Sequence, residues 1–206
     1  MEDVPFAFCH SVISALQNPS YIRKPLPSPI WQIAIAEHAR DRISTAIDIA
    51  YATGIWSYRI INKQHGLSHY LTFEELQKIN RKHLRVSDTS FGNVSYRNRS
   101  SFGEILRIVK FTVPTVLMCR LQLWDVGGFK QNDLRQLLSF YANSSIASLH
   151  TLRNFDLVCA FVMTFLKSGF LKRILVCHAD VPSALHDVIE EIALTKPFKM
   201  LVFQPQ

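Results

Sequence analysis

Four short apolar stretches in the last part of the chain share one frame. Met118-x-x-Leu121-x-Leu123 is followed by Ile146-x-x-Leu149-x-Thr151, Leu171-x-x-Ile174-x-Val176 and Phe198-x-x-Leu201-x-Phe203, with central residues 28, 25 and 27 positions apart. Helical stretches fill the intervals at Asn132–Tyr141, Asp156–Lys167 and Ser183–Leu194, with Asn132 or Asp133, Asp156 and Ser183 as their caps. Successive strands joined through helices generally lie parallel. The expected class is therefore α/β with a largely parallel sheet. Side chains alternate across a strand. Leu121, Leu149, Ile174 and Leu201 should then be buried neighbours on one face, with Arg120, Gln122, Trp124 and His150 on the other. Trp and Arg dominate protein-contact hot spots, which makes Arg120, Trp124 and His150 the candidate residues for binding a target protein.

A strand and a helix at this interval have the period of leucine-rich-repeat units. In such arrays the strands stack and the helices cover one side of the ladder. The Asn that normally follows the repeat's strand is missing here, so the units would be degenerate. An ordinary α/β layer of alternating elements predicts the same sheet.

Upstream, the pattern divides into a helical segment over 1–44 and a strand-and-helix region over 45–114, ahead of the repeat-like 115–206; residues 45–206 should pack as one domain. Asp3 can cap a first helix that has Pro5 in its first turn. Val4, Phe8, Val12 and Leu16 form its apolar stripe. PSYIRKPLPSP, with four prolines in eleven residues, can hardly be regular structure. A second helix runs from Ser28 or Pro29 to about Ser44. IDIAYATGIWSYRII reads as two strands about Gly54. LTFEELQKINRKH is a helix, with Thr72 and Glu75 in capping-box spacing. LRVSDTSF is a short strand, and SFGEILRIVKF a helix capped by Ser100 or Ser101.

Of the 206 residues 48% are hydrophobic and 19% charged, as in a folded globular protein. Cys9, Cys119, Cys159 and Cys177 lie singly in apolar runs, which fits buried thiols in a reducing compartment. Glu2 and Asp3 stand where a signal peptide would be basic. The longest uncharged apolar run, Leu157–Leu166, has ten residues, about half of what a membrane span needs. A cytoplasmic or nuclear protein is expected, with no membrane partner. The phosphate-loop, nucleophile-elbow and zinc-protease motifs are all missing. His65-x-x-x-His69 straddles Gly66 with no cysteine pair nearby, and Cys177 and His178, adjacent on a strand, would point to opposite faces. No catalytic residue, metal or cofactor is expected. The net charge of +7 permits an acidic partner without specifying one. The basic residues of 81–107, with Tyr96, Phe91 and Phe102, offer an alternative nucleic-acid-binding reading, although a solvated face accounts for them more simply.

The opening VPFAFCHSVISAL has a polar side of Ala7, His10, Ser11 and Ser14 with no charge. With Val4-Pro5, Phe8, Val12 and Leu16 it resembles the first helix of an F-box, which begins Leu-Pro and carries apolar residues at the same offsets. Ala7 replaces the usual acidic residue, and the Pro-rich segment replaces the middle of the motif. Trp31 stands where the F-box has its tryptophan helix. The order of elements resembles a nematode-expanded group of F-box-like proteins, with Trp31, His38 and Arg42 in their tryptophan helix and repeat-like units after it. The resemblance implies a non-catalytic adaptor, a substrate receptor of a cullin–RING ubiquitin ligase. Val4, Pro5, Phe8, Val12, Leu16 and Trp31 would contact a Skp-type adaptor, and the later domain would hold an unknown target. The competing possibility is that Phe6, Phe8 and Val12 pack on the chain's own sheet.

Overall fold

A computed structural model describes residues 5–15, 28–63, 69–94, 96–151, 155–167, 173–176, 187, 190–191 and 200–203. The described residues form an α/β fold with one nine-stranded mixed sheet, mostly parallel. The helices are α1 (Phe6–Ala15), α2 (Pro29–Asp41), α3 (Phe73–Lys78), α4 (Phe102–Thr112), α5 (Gln131–Tyr141) and α6 (Phe155–Lys167). The strands are β1 (Ile43–Ala52), β2 (Ile55–Asn62), β3 (His69–Leu71), β4 (Leu84–Gly92), β5 (Asn98–Ser100), β6 (Val116–Leu123), β7 (Ser145–Thr151), β8 (Arg173–Val176) and β9 (Met200–Phe203). The sheet runs β3-β2-β1-β4-β6-β7-β8-β9, and β5 pairs with β2 beside β3.

From β1 onward every pairing is parallel, because a helix intervenes between successive strands. The apolar frame fixes the register. Leu121 pairs with Leu149, Leu149 with Ile174, and Ile174 with Leu201. Leu121, Leu149 and Ile174 are fully buried; Leu201 is described in its pairing only. The frame slips at its first position, where Cys119, and not Met118, pairs with Ile146. Met118 takes a left-handed φ of 52° and adds a residue to β6, and such a bulge shifts the ladder by one. Leu171 and Phe198 lie outside the described residues, as does most of the expected helix Ser183–Leu194, of which Asp187, Glu190 and Glu191 are helical.

Helices α4, α5 and α6 pack side by side, α4 on α5 and α5 on α6. They close a core with Ile108, Leu137, Leu138 and Phe165 against Ile47, Phe91, Leu121 and Leu149. Caps follow the sequence at two of these ends. Thr72 and Glu75 complete a capping box at α3, and the Ser101 hydroxyl accepts from the Glu104 amide at α4. At α5 they do not: Lys130 occupies the cap position without a side-chain bond, and the helix starts one residue before Asn132. Two other ends also fall short of the sequence pattern. Helix α2 stops at Asp41, so Ser44 already belongs to β1, and α3 stops at Lys78 instead of running to His83.

β1 and β2 are joined by Thr53 and Gly54, both at positive φ (52° and 82°). That is the twist a two-residue hairpin turn requires. It sets Asp48 opposite Arg59.

Helices α1 and α2 form a second, smaller hydrophobic cluster of Cys9, Ile13 and Ala34, with Ile30, Trp31 and Ile35 at its margin. It is joined to the sheet by polar contacts. Arg42 donates to the Ile13 carbonyl at 2.9 Å, one of the last carbonyls of α1. Lys82 pairs with Glu37 at 2.9 Å, and the His38 and His83 rings lie 5.7 Å apart.

Candidate interaction surfaces

The stripe expected to bury α1 is not the one that does. Cys9 and Ile13 face α2, while Phe8 and Val12, one position earlier in each turn, are 55% and 36% exposed. Phe6 is 43% exposed, and none of Phe6, Phe8 and Val12 belongs to the core cluster of the sheet, which counts against their packing on it. The Phe8 ring meets Trp31 edge-on at 6.2 Å, and Pro5 stands exposed just before α1, its carbonyl accepting from the Phe8 and Cys9 amides. Ile33 of α2 is also exposed. Four of the six residues that the F-box resemblance singles out are described, and Phe8, Val12, Pro5 and the half-buried Trp31 stand at the surface of one helix pair. Val4, Leu16 and Asp3 lie outside the described residues. Helix α1 has no acidic residue in its first turn and no basic residue in its last. The result is a weakly charged apolar surface, the kind that forms the desolvated centre of protein interfaces.

The second surface is the sheet face turned away from α4, α5 and α6. Across it run two rows of paired positions, Arg59, Asp48, Ser90, Gln122, His150 and Leu175, then Asp88, Arg120, Ser148 and Arg173. All three residues expected to bind a target lie here. Arg120 and Trp124 are exposed, His150 is half-buried, and Gln122 separates Arg120 from Trp124. At 41% exposure the Trp124 ring is accessible. Gly92 makes room for it, since a Cβ there would stand 3.3 Å from the Trp124 Cβ.

The carboxylates of this face are already engaged. Asp48 accepts from Arg59 Nη2 at 2.6 Å and from the Ser90 hydroxyl at 2.5 Å. Asp88 accepts from Lys63 at 2.7 Å, with Arg120 Nε at 3.5 Å. Burial would raise the Asp88 pKa, but the hydrogen bonds of Lys63 and Ser87 and the charges of Lys63 and Arg120 hold it below the usual carboxylate range. His150 is held below the usual imidazole range, first by burial and then by Arg120 and Arg173, with Asp88 pulling the other way. The sequence reading missed the Asp48–Arg59 pair. Its signal was a lone carboxylate inside an apolar strand, which needs a partner.

Other groups offer little chemistry. Burial raises the Cys119 thiol to about 12, too high for a nucleophile. Cys9 is likewise buried and Cys159 half-buried, whereas Cys177 and His178 lie outside the described residues. His65 does too, and His69 is exposed on β3. Glu37, Asp41 and His83 bring three potential ligand atoms within 4.8 Å of one another. Lys82 and Arg40 already neutralise the two carboxylates, at 2.9 Å and 2.7 Å. A cavity of about 400 Å³ lies where β5 and β3 meet along β2, lined by Tyr58, Arg59, Tyr70, Tyr96, Arg97 and Asn98. Arg59 there stacks over Tyr96 at 4.8 Å and is held by Asp48.

The three aromatic rings set beside the basic residues of 81–107 are all engaged, Tyr96 under Arg59. Phe91 is fully buried, Phe102 packs on Trp56, and Arg81 and Arg107 lie over Phe111 and Phe73. Among the described residues no helix is long and apolar enough to cross a membrane.

Comparison with protein-family models, with curated proteins and with solved structures finds no match for this chain.

Proposed function

We propose that the chain is a non-catalytic adaptor, the substrate receptor of a cullin–RING ubiquitin ligase. Helices α1 and α2 would be its F-box-like docking module, and the parallel strand–helix array a degenerate leucine-rich-repeat-like domain that captures a target. The observation that carries this reading is the separation of two hydrophobic clusters, with Phe8 and Val12 turned outward from the smaller one. A helix pair that merely capped the sheet would bury those residues against it. Exposed large apolar side chains grouped on one helix are a recurrent mark of interaction sites. In-register stacking of Leu121, Leu149, Ile174 and Leu201 supports the repeat-like part. Ala7 in place of the usual acidic residue and the Pro-rich segment in place of the motif's middle are the departures from the F-box pattern. The apolar residues Phe8, Val12 and Trp31 remain at the surface.

The experiment is size-exclusion chromatography of the full chain mixed with a purified Skp-type adaptor. Co-elution as a complex is expected. Separate elution at concentrations well above those of ordinary adaptor complexes would count against the ligase role.

A further inference from the structure

We propose that the open face of β6, β7 and β8 takes an acidic, extended polypeptide segment, its carboxylates lying between Arg120 and Arg173 and an apolar side chain resting on Trp124. This rests on the adaptor reading for the expectation of a target, and it names that target's chemistry.

The charge on the face is one-sided. Its two described carboxylates, Asp48 and Asp88, lie on β1 and β4; Asp48 is engaged by Arg59 and Ser90, and Asp88 by Lys63 at 2.7 Å and more loosely by Arg120 at 3.5 Å. Beyond Asp88 the paired positions on β6, β7 and β8 hold Arg120, Gln122, Ser148, His150, Arg173 and Leu175, with no carboxylate among them. Arg120 and Arg173 are both exposed and both pair with Ser148, one from each side. Adjacent strands lie about 4.8 Å apart, so the two arginine Cα atoms are roughly 10 Å apart across Ser148. A carboxylate above Ser148 can meet both guanidinium groups and the hydroxyl, which now contacts His150 Nε2 at 2.9 Å.

The charged groups facing His150 are Arg120 from β6, Arg173 from β8 and Asp88 from β4; Gln122, Ser148 and Leu175 are its uncharged neighbours. A bound carboxylate offsets the two arginines and raises the imidazole's proton affinity. Binding then takes up a proton, and by linkage it tightens as pH falls. A polypeptide fits better than a nucleic acid strand, which needs successive stacking rings. On β6–β8 and the residue after β6, Trp124 is the single exposed ring among the described residues.

The test is fluorescence anisotropy of the full chain with a labelled peptide of alternating Glu and Ser around one Phe. A Lys-for-Glu version and oligo-dT serve as competing ligands. The acidic peptide should bind and the basic one should not. Arg173→Glu should weaken binding about tenfold or more without moving the melting point. Between about pH 7.5 and about pH 6 the affinity should rise several-fold, and His150→Gln should abolish that rise. Equal binding of the basic peptide, preference for oligo-dT, no effect of Arg173→Glu, or no binding at all would overturn the proposal. Val12→Asp should leave peptide binding unchanged. Failure of adaptor co-elution alongside intact peptide binding therefore removes the ligase role alone, and the reverse pattern removes this proposal alone.

Discussion

Val12→Asp should weaken binding to a Skp-type adaptor by about thirty-fold or more, roughly the 2 kcal/mol that marks an interface hot spot. The substitution puts a carboxylate at an exposed position of the free chain, where it stays hydrated, and in a desolvated contact of the complex, where it has no partner. Free-chain stability should barely move. Ile13→Asp, one residue later, should behave in the opposite way. Ile13 is 1% exposed in the small cluster with Cys9 and Ala34. A charge there has no polar partner to replace water, so the α1–α2 pair should come apart, at a local cost of about 4 kcal/mol or more. Circular dichroism should report lost helix from α1 while the main melting transition of the sheet persists. If both variants unfold the whole chain together, the two clusters are one cooperative unit and the docking module has no independent existence.

Leu149→Ala should lower global stability by about 2–5 kcal/mol, read from denaturant midpoints at unchanged slope. Leu149 is fully buried and paired on both sides with residues that are also fully buried, Leu121 and Ile174. Its neighbours belong to strands held on both edges, so the cavity cannot collapse easily. Arg173→Ala, on the opposite face of the next strand, should change stability by no more than about 0.5 kcal/mol. Comparable losses from both would mean that the face assignment along β7 and β8 is wrong.

The sheet was legible because its two governing signals are local. The repeated x-x-Leu-x spacing fixes which side chain of each strand meets the next, and the chain confirms it from Leu121 to Leu201. The turn at Thr53 and Gly54 likewise determines that Asp48, five positions before it, faces Arg59, five after it. What failed were points where a neighbour in space overrides a neighbour in sequence. The bulge at Met118 belongs to the fit between β6 and β7, and no residue near it announces a positive φ. On α1, Phe8 and Val12 form as good a stripe as Cys9 and Ile13. Periodicity identifies an apolar side of a helix, but the choice between two adjacent sides was made by Ala34, Ile30 and Ile35 of α2. The candidate target face was legible as alternation, since Arg120, Trp124 and His150 follow from the burial of Leu121, Leu123 and Leu149. Its polarity was not, because the engagement of Asp88 by Lys63 joins residues 25 apart in sequence, one just after β2 and the other within β4.

Hydrogen–deuterium exchange of the full chain, alone and with a purified Skp-type adaptor, tests the two-surface account most directly. Complex formation should slow exchange in peptides covering residues 5–13 and 29–35, where Phe8, Val12 and Trp31 lie, and leave β6, β7 and β8 unchanged. Protection confined to the strands, or none on α1 and α2 at saturating adaptor, would contradict it.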